Sequence, residues 1–498
     1  MKSHTSSPDI LPTCSEAWED KPVYLPLENP ELYLIEYNGP DDPESPLNWP
    51  MRRKIQTTVL YAIMTFAAQM NSAIFSPAAP HLINAMGISH EVATLTTSLY
   101  VAGIAFGPLL FAPFSEVYGR KIGVTMPFLI SILFTCGTGG SENIQSVILT
   151  RFFAGFFASA PIVSSGGVLS DIWAPSVRGN YMVLYGGFVI AGASLAPPIG
   201  ALLLKHSPTA WKWVCWFMVA LSSLILALVL ILCPETYPPV LLQRKARKIR
   251  LESGNWAYHA HHDRWQFTLD EFVKRHLIRP FAMLLTPICF FIALYASFVY
   301  GIFYLTLTSV NYQFTQYRHW GYVQAFLPTI AVFAGAILFG SASNLWSGKR
   351  YRRLVLANDG KAIPEERLVV MMTFGWIFSA GLFITAWTSS PDNHWALPCL
   401  GLLLTGWGFF VIFQACLNYL VDAFQRYAAS AVAANTFARS VFGAVFPLFA
   451  KQLFDTLGVD WGLSLLAFLA VAMIPIPWVF YRYGNRLRGK NPFLSVVT

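Results

Sequence analysis

Charge is what this sequence has least of. Asp, Glu, Lys and Arg supply 12% of its 498 residues, against 55% hydrophobic, and the mean hydropathy is +0.49. A water-soluble domain carries roughly a quarter charged residues, so a soluble globular chain is excluded. Cysteine is sparse and unpaired: Cys14, Cys136, Cys215, Cys233, Cys289, Cys399 and Cys416 form no CxxC, and six of the seven lie in or beside apolar runs. Small buried hydrophobes are expected there rather than disulfides or zinc ligands. HExxH, GxSxG and a P-loop are all missing, which removes the common hydrolase signatures and an ATP-driven pump. The group His259-Ala260-His261-His262-Asp263 has no second ligand set at matching spacing, so it reads as a solvated loop, and neither metal nor cofactor is expected. Residues 1–50 lack the apolar opening of a cleaved leader and are rich in acids (Glu16, Glu19, Asp20, Glu28, Glu31, Glu36, Asp41, Asp42, Glu44). A disordered or loosely packed tail is expected there.

What is present is a series of apolar runs. A helix needs about twenty residues to cross a bilayer. Runs of that length fall near 56–82, 91–115, 122–140, 144–170, 178–204, 210–233, 281–307, 321–343, 368–388, 394–421, 427–452 and 461–481. They predict an all-α membrane protein of twelve transmembrane helices in two six-helix bundles. The expected organisation is a polar tail over 1–50, a first bundle over 51–233, a central loop over 234–280, a second bundle over 281–483 and a tail over 484–498.

The net charge of +8 does not form a nucleic-acid patch. Bases occupy alternate loops: Arg52, Arg53 and Lys54; Arg120 and Lys121; Arg178; Arg244, Lys245, Arg247, Lys248 and Arg250; Lys349, Arg350, Arg352 and Arg353; Arg426; and Arg482, Arg486, Arg488 and Lys490. The opposite loops hold little beyond Lys205, Lys212, Arg318 and Lys451. The asymmetry predicts both termini and the central loop on the cytoplasmic side, with the basic amphipathic run 240–251 on the inner leaflet.

Acids are scarce inside the spans too. Spans one and seven hold none, and the deep charges are Arg151 and Arg439. A polycation would need carboxylates to replace its hydration, so a neutral or weakly acidic small molecule is the expected cargo. Candidate lining groups are polar and mostly uncharged: Gln69 and Asn71, Tyr100, Tyr181 and Tyr185, Tyr295, Tyr300 and Tyr304, Trp407, Gln414 and Asn418, and Asn435. Rings with a polar tip suit amphipathic aromatic compounds. An intramembrane base normally faces the bundle interior, which makes Arg151 a functional candidate; the competing reading is a snorkelling interfacial Arg. The halves echo each other. Asp171 ends the fourth run and Asp422 the tenth, and Gly192 precedes Pro197 as Gly443 precedes Pro447. Two repeated bundles would place a site at the midplane between them.

Between the second and third runs stands Ala112-Pro113-Phe114-Ser115-Glu116-Val117-Tyr118-Gly119-Arg120-Lys121, where Glu116 and Arg120 read as a clasp between helix ends. This turn resembles the loop-2/3 signature of the major facilitator superfamily in its fungal drug–proton antiporter form. The opening phrase over 43–54, Arg151 with Gly166, Gly167 and Asp171, the run Gly192, Pro197, Gly200, the phrase Pro234-Glu235-Thr236, Arg279-Pro280-Phe281 and Asn435 with Arg439 carry the resemblance across residues 41–488. It implies that Glu116, Arg120 and Lys121 are the family's acid and basic pair, and that Arg151 takes part in proton coupling. Gly192, Pro197 and Gly200 would form the export motif, with Ala196 and Ala201 at two of its glycine positions. Asp171 is placed to pair with Arg120, and Arg439 to reach Glu116 across the halves. The four would then be a lock that closes one conformation and opens in the other.

The expected activity is secondary transport: export of small amphipathic organic compounds (drug, toxin or secondary metabolite) by alternating access, coupled to protons. The chain would work as a monomer in the bilayer of the plasma membrane, or alternatively the vacuole, and would not be an enzyme. The competing readings are an importer or uniporter of organic acids or polyamines and, more remotely, a membrane-embedded enzyme.

Overall fold

The computed structural model describes residues 30–39, 41–205, 211–264, 273–358 and 363–489. Cys14, the acids at positions 16–28, Lys490 and the side chain of Arg426 lie outside them. The chain divides into a small unit, residues 1–42 with 238–266, and a large one, residues 43–237 with 267–498.

The large unit holds the spans. We number them α1 (Met51–Met86), α2 (His90–Val117), α3 (Arg120–Gly140), α4 (Ile144–Ile172), α5 (Pro175–Leu203), α6 (Trp211–Leu232), α7 (Pro287–Gln316), α8 (Gln324–Ala357), α9 (Pro364–Trp387) and α10 (Ala396–Ala423). The remaining helical stretch, Ala428–Gly489, runs for 62 residues. At 1.5 Å per residue it would be about 93 Å long, three times the hydrocarbon thickness. It is instead folded at Gly458, whose φ of 74° and ψ of 167° only glycine adopts without strain. The result is α11 (428–457) and α12 (459–489), which brings the spans to twelve.

Several ends differ from the hydropathy reading. α7 begins at Pro287, after a separate short helix Arg279–Leu284, and runs on through a polar stretch to Gln316. α8 likewise continues through Lys349 and Arg353 to Ala357. Backbone hydrogen bonding continues a helix past the point where the hydrocarbon stops, so apolar windows mark the crossing rather than the helix.

Close helix crossings are made by residues without side chains. Gly155 of α4 lies on the Tyr100 carbonyl of α2, and Gly103 of α2 lies on the Phe152 carbonyl of α4. Gly192 and Gly200 of α5 sit on the Phe66 and Ile74 carbonyls of α1, while Pro197 is buried beside them. In the second half Gly335 of α8 meets the Leu403 carbonyl of α10. Lipid offers no hydrophobic drive between spans, so such backbone-to-backbone approach supplies the packing.

In the small unit, the amphipathic helix Pro238–Ser253 packs with the described end of the tail, at Asp42. Ile35 donates to the His259 carbonyl (2.9 Å) and His259 to the Tyr33 carbonyl (3.0 Å). Asp42 pairs with Lys245 at 3.6 Å, and Asp263 pairs with Arg250 at 2.9 Å.

A Cβ added at Gly155 would meet backbone rather than a movable side chain. Gly155→Val should therefore cost about 1–3 kcal/mol of overpacking, read as a lower melting temperature of the detergent-purified protein. Gly179→Ala, which meets nothing within 4 Å, should leave it unchanged. Equal melting temperatures for the two variants would refute the close crossing.

Candidate functional site

The turn into α3 is built on Gly119, at φ 92° and ψ 160°. Its missing side chain leaves room for the carboxylate of Glu235, which follows α6. Glu235 Oε1 accepts the backbone N–H of Arg120 at 2.8 Å, and Oε2 accepts that of Lys121 at 3.2 Å. The same Oε1 accepts the N–H groups of Thr236 (2.9 Å) and Tyr237 (3.0 Å). A carboxylate thus sits at the positive end of the α3 dipole and satisfies donors that the helix itself leaves orphaned. The Arg120 side chain points back: Nε donates to Asp171 Oδ2 (3.2 Å), a terminal nitrogen donates to Ser115 Oγ (2.8 Å), and Tyr237 lies 4.8 Å away on its face. Gly167 of α4 gives the guanidinium its space. Lys121 Nζ donates to the Leu230 carbonyl at 2.8 Å.

A second pair occupies the equivalent place in the other half. Arg367, at the start of α9, donates to Asp422 at the end of α10 at 2.7 Å. Tyr351 donates to the same oxygen at 2.7 Å, and the Arg367 guanidinium lies 3.5 Å over the Tyr351 ring. Sequence reasoning missed Glu235 as a cap and Arg367 as a partner. The echo of Asp171 by Asp422 was the signal available, since each acid closes a span and each pairs with a base opening the preceding one.

The four-residue lock across the halves is not what the structure forms. Arg120 and Asp171 meet, within one half. Glu116 is half-buried and lines a cleft with Pro108, Ala112, Arg279 and Tyr427. Arg439 lies elsewhere, against Tyr300 and Phe413. Among the described residues neither Glu116 nor Arg439 has a hydrogen bond or ion pair, to the other or to anything else. The physical reason lies in depth: Arg439 is eleven residues into α11, about 16 Å along its axis, whereas Glu116 stands at the last turn of α2.

Arg151 is 1% exposed and does not snorkel. Its Nε donates to the Thr96 carbonyl (2.9 Å), one terminal nitrogen to Asn71 Oδ1 (2.9 Å), and the other to the Asn71 carbonyl (2.8 Å). Phe75 and Tyr100 lie 4.6 and 4.4 Å from its carbon. The Asn71 carbonyl is available because α1 is interrupted by a 3-10 turn at Ser76–Ala78, just beyond Asn71 and Ser72.

Of the remaining candidates, Tyr304 and Gln414 bond across the halves, whereas Tyr181 stacks on Trp173 in the first half and Trp407 donates to Ser343 in the second. Ser72 and the Tyr304 hydroxyl are 2.7 Å apart, and the Tyr304 ring is 5.0 Å from Tyr300. Gln414 donates to the Met182 carbonyl of α5 at 3.1 Å. Tyr185 donates to the Ile162 carbonyl at 2.7 Å. Gln69 Oε1, Asn435 Oδ1, Arg439 Nε and Ser440 Oγ are buried with no partner among the described residues. Asn71 is committed to Arg151 and to Thr135. Asn418 is half-buried, and Tyr295 is buried without a ring or hydrogen-bond contact to Tyr300 or Arg439 among the described residues.

Cross-half hydrogen bonds cluster at the end opposite Arg120. Ser76 donates to the Leu307 carbonyl (3.3 Å), Tyr322 to the Pro77 carbonyl, and Gln452 to Glu91 (2.9 Å). Two helical halves that share a polar seam, bonded together at one end and with a small cleft at Glu116 near the other, define a two-body membrane carrier. Residues 61–447 match the profile of the Major Facilitator Superfamily, and the chain belongs to that family. It is 40% identical to the efflux pump bik6 of Gibberella fujikuroi, over 93% of this chain and 96% of that one. It is 37% identical to the multidrug transporter FLU1 of Candida albicans, over 100% of this chain and 81% of that one. The fold is similar to that of the human organic anion transporter MFSD10, with a TM-score of 0.62 and 13% identity, covering 86% of this chain and all of that one.

Both ion pairs are largely shielded, so removing one charge strands the other. Asp422→Asn and Asp171→Asn should each lower the melting temperature, and the doubles R367Q/D422N and R120Q/D171N should recover part of the loss, with a coupling of about 1–3 kcal/mol. Additive losses would show that the pairs carry no coupling.

Proposed function

We propose that this chain exports small amphipathic organic compounds, neutral or weakly acidic, by alternating access in exchange for protons. The observation that carries the reading is the buried polar seam. Side chains from α1, α5, α7, α10 and α11 converge on it, and several have polar groups left for a ligand. Rocking one half on the other would break the hydrogen bonds at the Pro77 end and close the Glu116 cleft. The Arg120–Asp171 and Arg367–Asp422 pairs brace each half as it moves. The relatives named as an efflux pump and a multidrug transporter support the outward direction. Buried Arg151 and Arg439 disfavour a polyamine, which would bring cations to cations.

In this reading the termini and the Arg120 end face the cytoplasm, in the plasma membrane, and the chain works as a monomer. Arg151 holds the interrupted α1 in place, and proton exchange acts through that region. Gly192, Pro197 and Gly200 keep α5 tight on α1, which favours release to the outside. In a pump-deficient fungal host, cells expressing the chain should hold several-fold less Nile red than control cells, and a protonophore should abolish the difference. Higher retention than control would mean import. Lower retention that survives the protonophore would remove the coupling.

A further inference from the structure

Among the described residues Arg151 and Arg439 are buried far from the helix ends, and their surroundings are opposite. Arg151 has its nitrogens on carbonyls and on Asn71, with the Phe75 and Tyr100 rings beside it. Arg439 is 5% exposed, about half-way through the bilayer core by its depth in α11, and has no hydrogen bond or ion pair among the described residues. Its neighbours are the faces of Tyr300 (5.2 Å) and Phe413 (4.8 Å). A guanidinium does not lose its proton in proteins, and rings alone do not replace the hydrogen bonds that water gave its nitrogens.

We propose that Arg439 is the anchor for an acidic group on the transported compound, a carboxylate or an acidic phenol. The Tyr300–Phe413 wall would receive the aromatic body to which that group is attached. The inference rests on the exporter reading and narrows its cargo. The planar fork of Arg439 matches the two oxygens of a carboxylate. Tyr300 and Phe413 are nearly parallel, 20° apart with centroids at 6.4 Å, so the charge has a pair of aromatic rings beside it. Asn435 lies one helical turn before Arg439 on the same face, and its Oδ1 has no partner, as is true of Gln69 Oε1 in the opposite half. These amides suit a second polar substituent, such as a phenolic hydroxyl, better than a bare inorganic anion. Seated between Arg439 and Gln69, such a compound would touch both halves, which a cargo must do to couple its binding to their motion.

The test uses the purified full chain in nanodiscs with two isosteric probes, 2-naphthoate and uncharged 2-naphthamide. The wild-type chain should bind naphthoate about tenfold more tightly than naphthamide, as expected for a charge-assisted bidentate contact. Arg439→Gln should erase that preference while leaving naphthamide binding within about twofold. Arg439→Lys, which keeps the charge but loses the fork, should fall between, and matching melting temperatures show that all three chains are folded. Naphthoate affinity retained in Arg439→Gln, a wild-type preference for naphthamide, or no naphthoate binding to the wild-type chain would each overturn the proposal. The exporter reading is judged separately by Nile red and probe efflux from cells. A chain that binds naphthoate through Arg439 but exports nothing sinks the exporter and keeps the anchor. One that exports naphthamide and Nile red with no Arg439-dependent preference does the reverse.

Discussion

A positive charge withdrawn from water must find other partners, and this requirement organises the protein. The penalty for burying an ion is several kcal/mol even after relaxation. Arg151 meets it with the Thr96 carbonyl, with the Asn71 carbonyl freed by the break in α1 and with the Asn71 side chain. That arrangement is complete, and it ties α4 to α1 and α2. Arg439 meets it with two rings, an interaction worth about 2 kcal/mol when desolvated. The shortfall separates a brace from a site. It also explains why one arginine is packed into its own half while the other faces the seam.

The same economy of charge governs movement. Among the described residues ion pairs join helix ends inside each half, and the contacts between halves are hydrogen bonds, neutral at Ser72–Tyr304 and Ser76–Leu307 and reaching a carboxylate only at the exposed Gln452–Glu91 contact. A pair buried across the moving interface would have to be hydrated and dehydrated in every cycle. Hydroxyl-to-carbonyl contacts such as Ser76 to Leu307 exchange with water at little net change in free energy. Rigid halves and a weakly bonded seam are thus two results of one rule. The glycine crossings between α2 and α4, and between α1 and α5, serve the rigid side of that division.

Much of this was legible in the residues. Apolar run length gave twelve spans, because hydrophobicity is a local property, and the resemblance to the family motifs gave Arg120 with Asp171. Helix ends were less legible: α7 and α8 continue through polar residues such as Asn311 and Lys349, since backbone bonding does not follow hydropathy. Arg367 was hidden because its partner Asp422 is distant in sequence and only the repeat relates them to Arg120 and Asp171. The resemblance makes Arg439 a latch for Glu116. Its depth along α11, and the ring faces that turn it inward, belong to tertiary packing that no motif records.

The central claim, that two stiff halves pivot about the polar seam, is tested most directly by spin-label distances. One label pair would sit at exposed Asn84 and Thr456 near the bonded end, and the other at exposed Tyr118 and Gln425 near the cleft. Measured by double electron–electron resonance in nanodiscs, across acidic and neutral pH and with 2-naphthoate added, the two distances should change in opposite directions, one lengthening as the other shortens. Two distributions that stay fixed in every condition, or that lengthen and shorten together, would contradict a pivot.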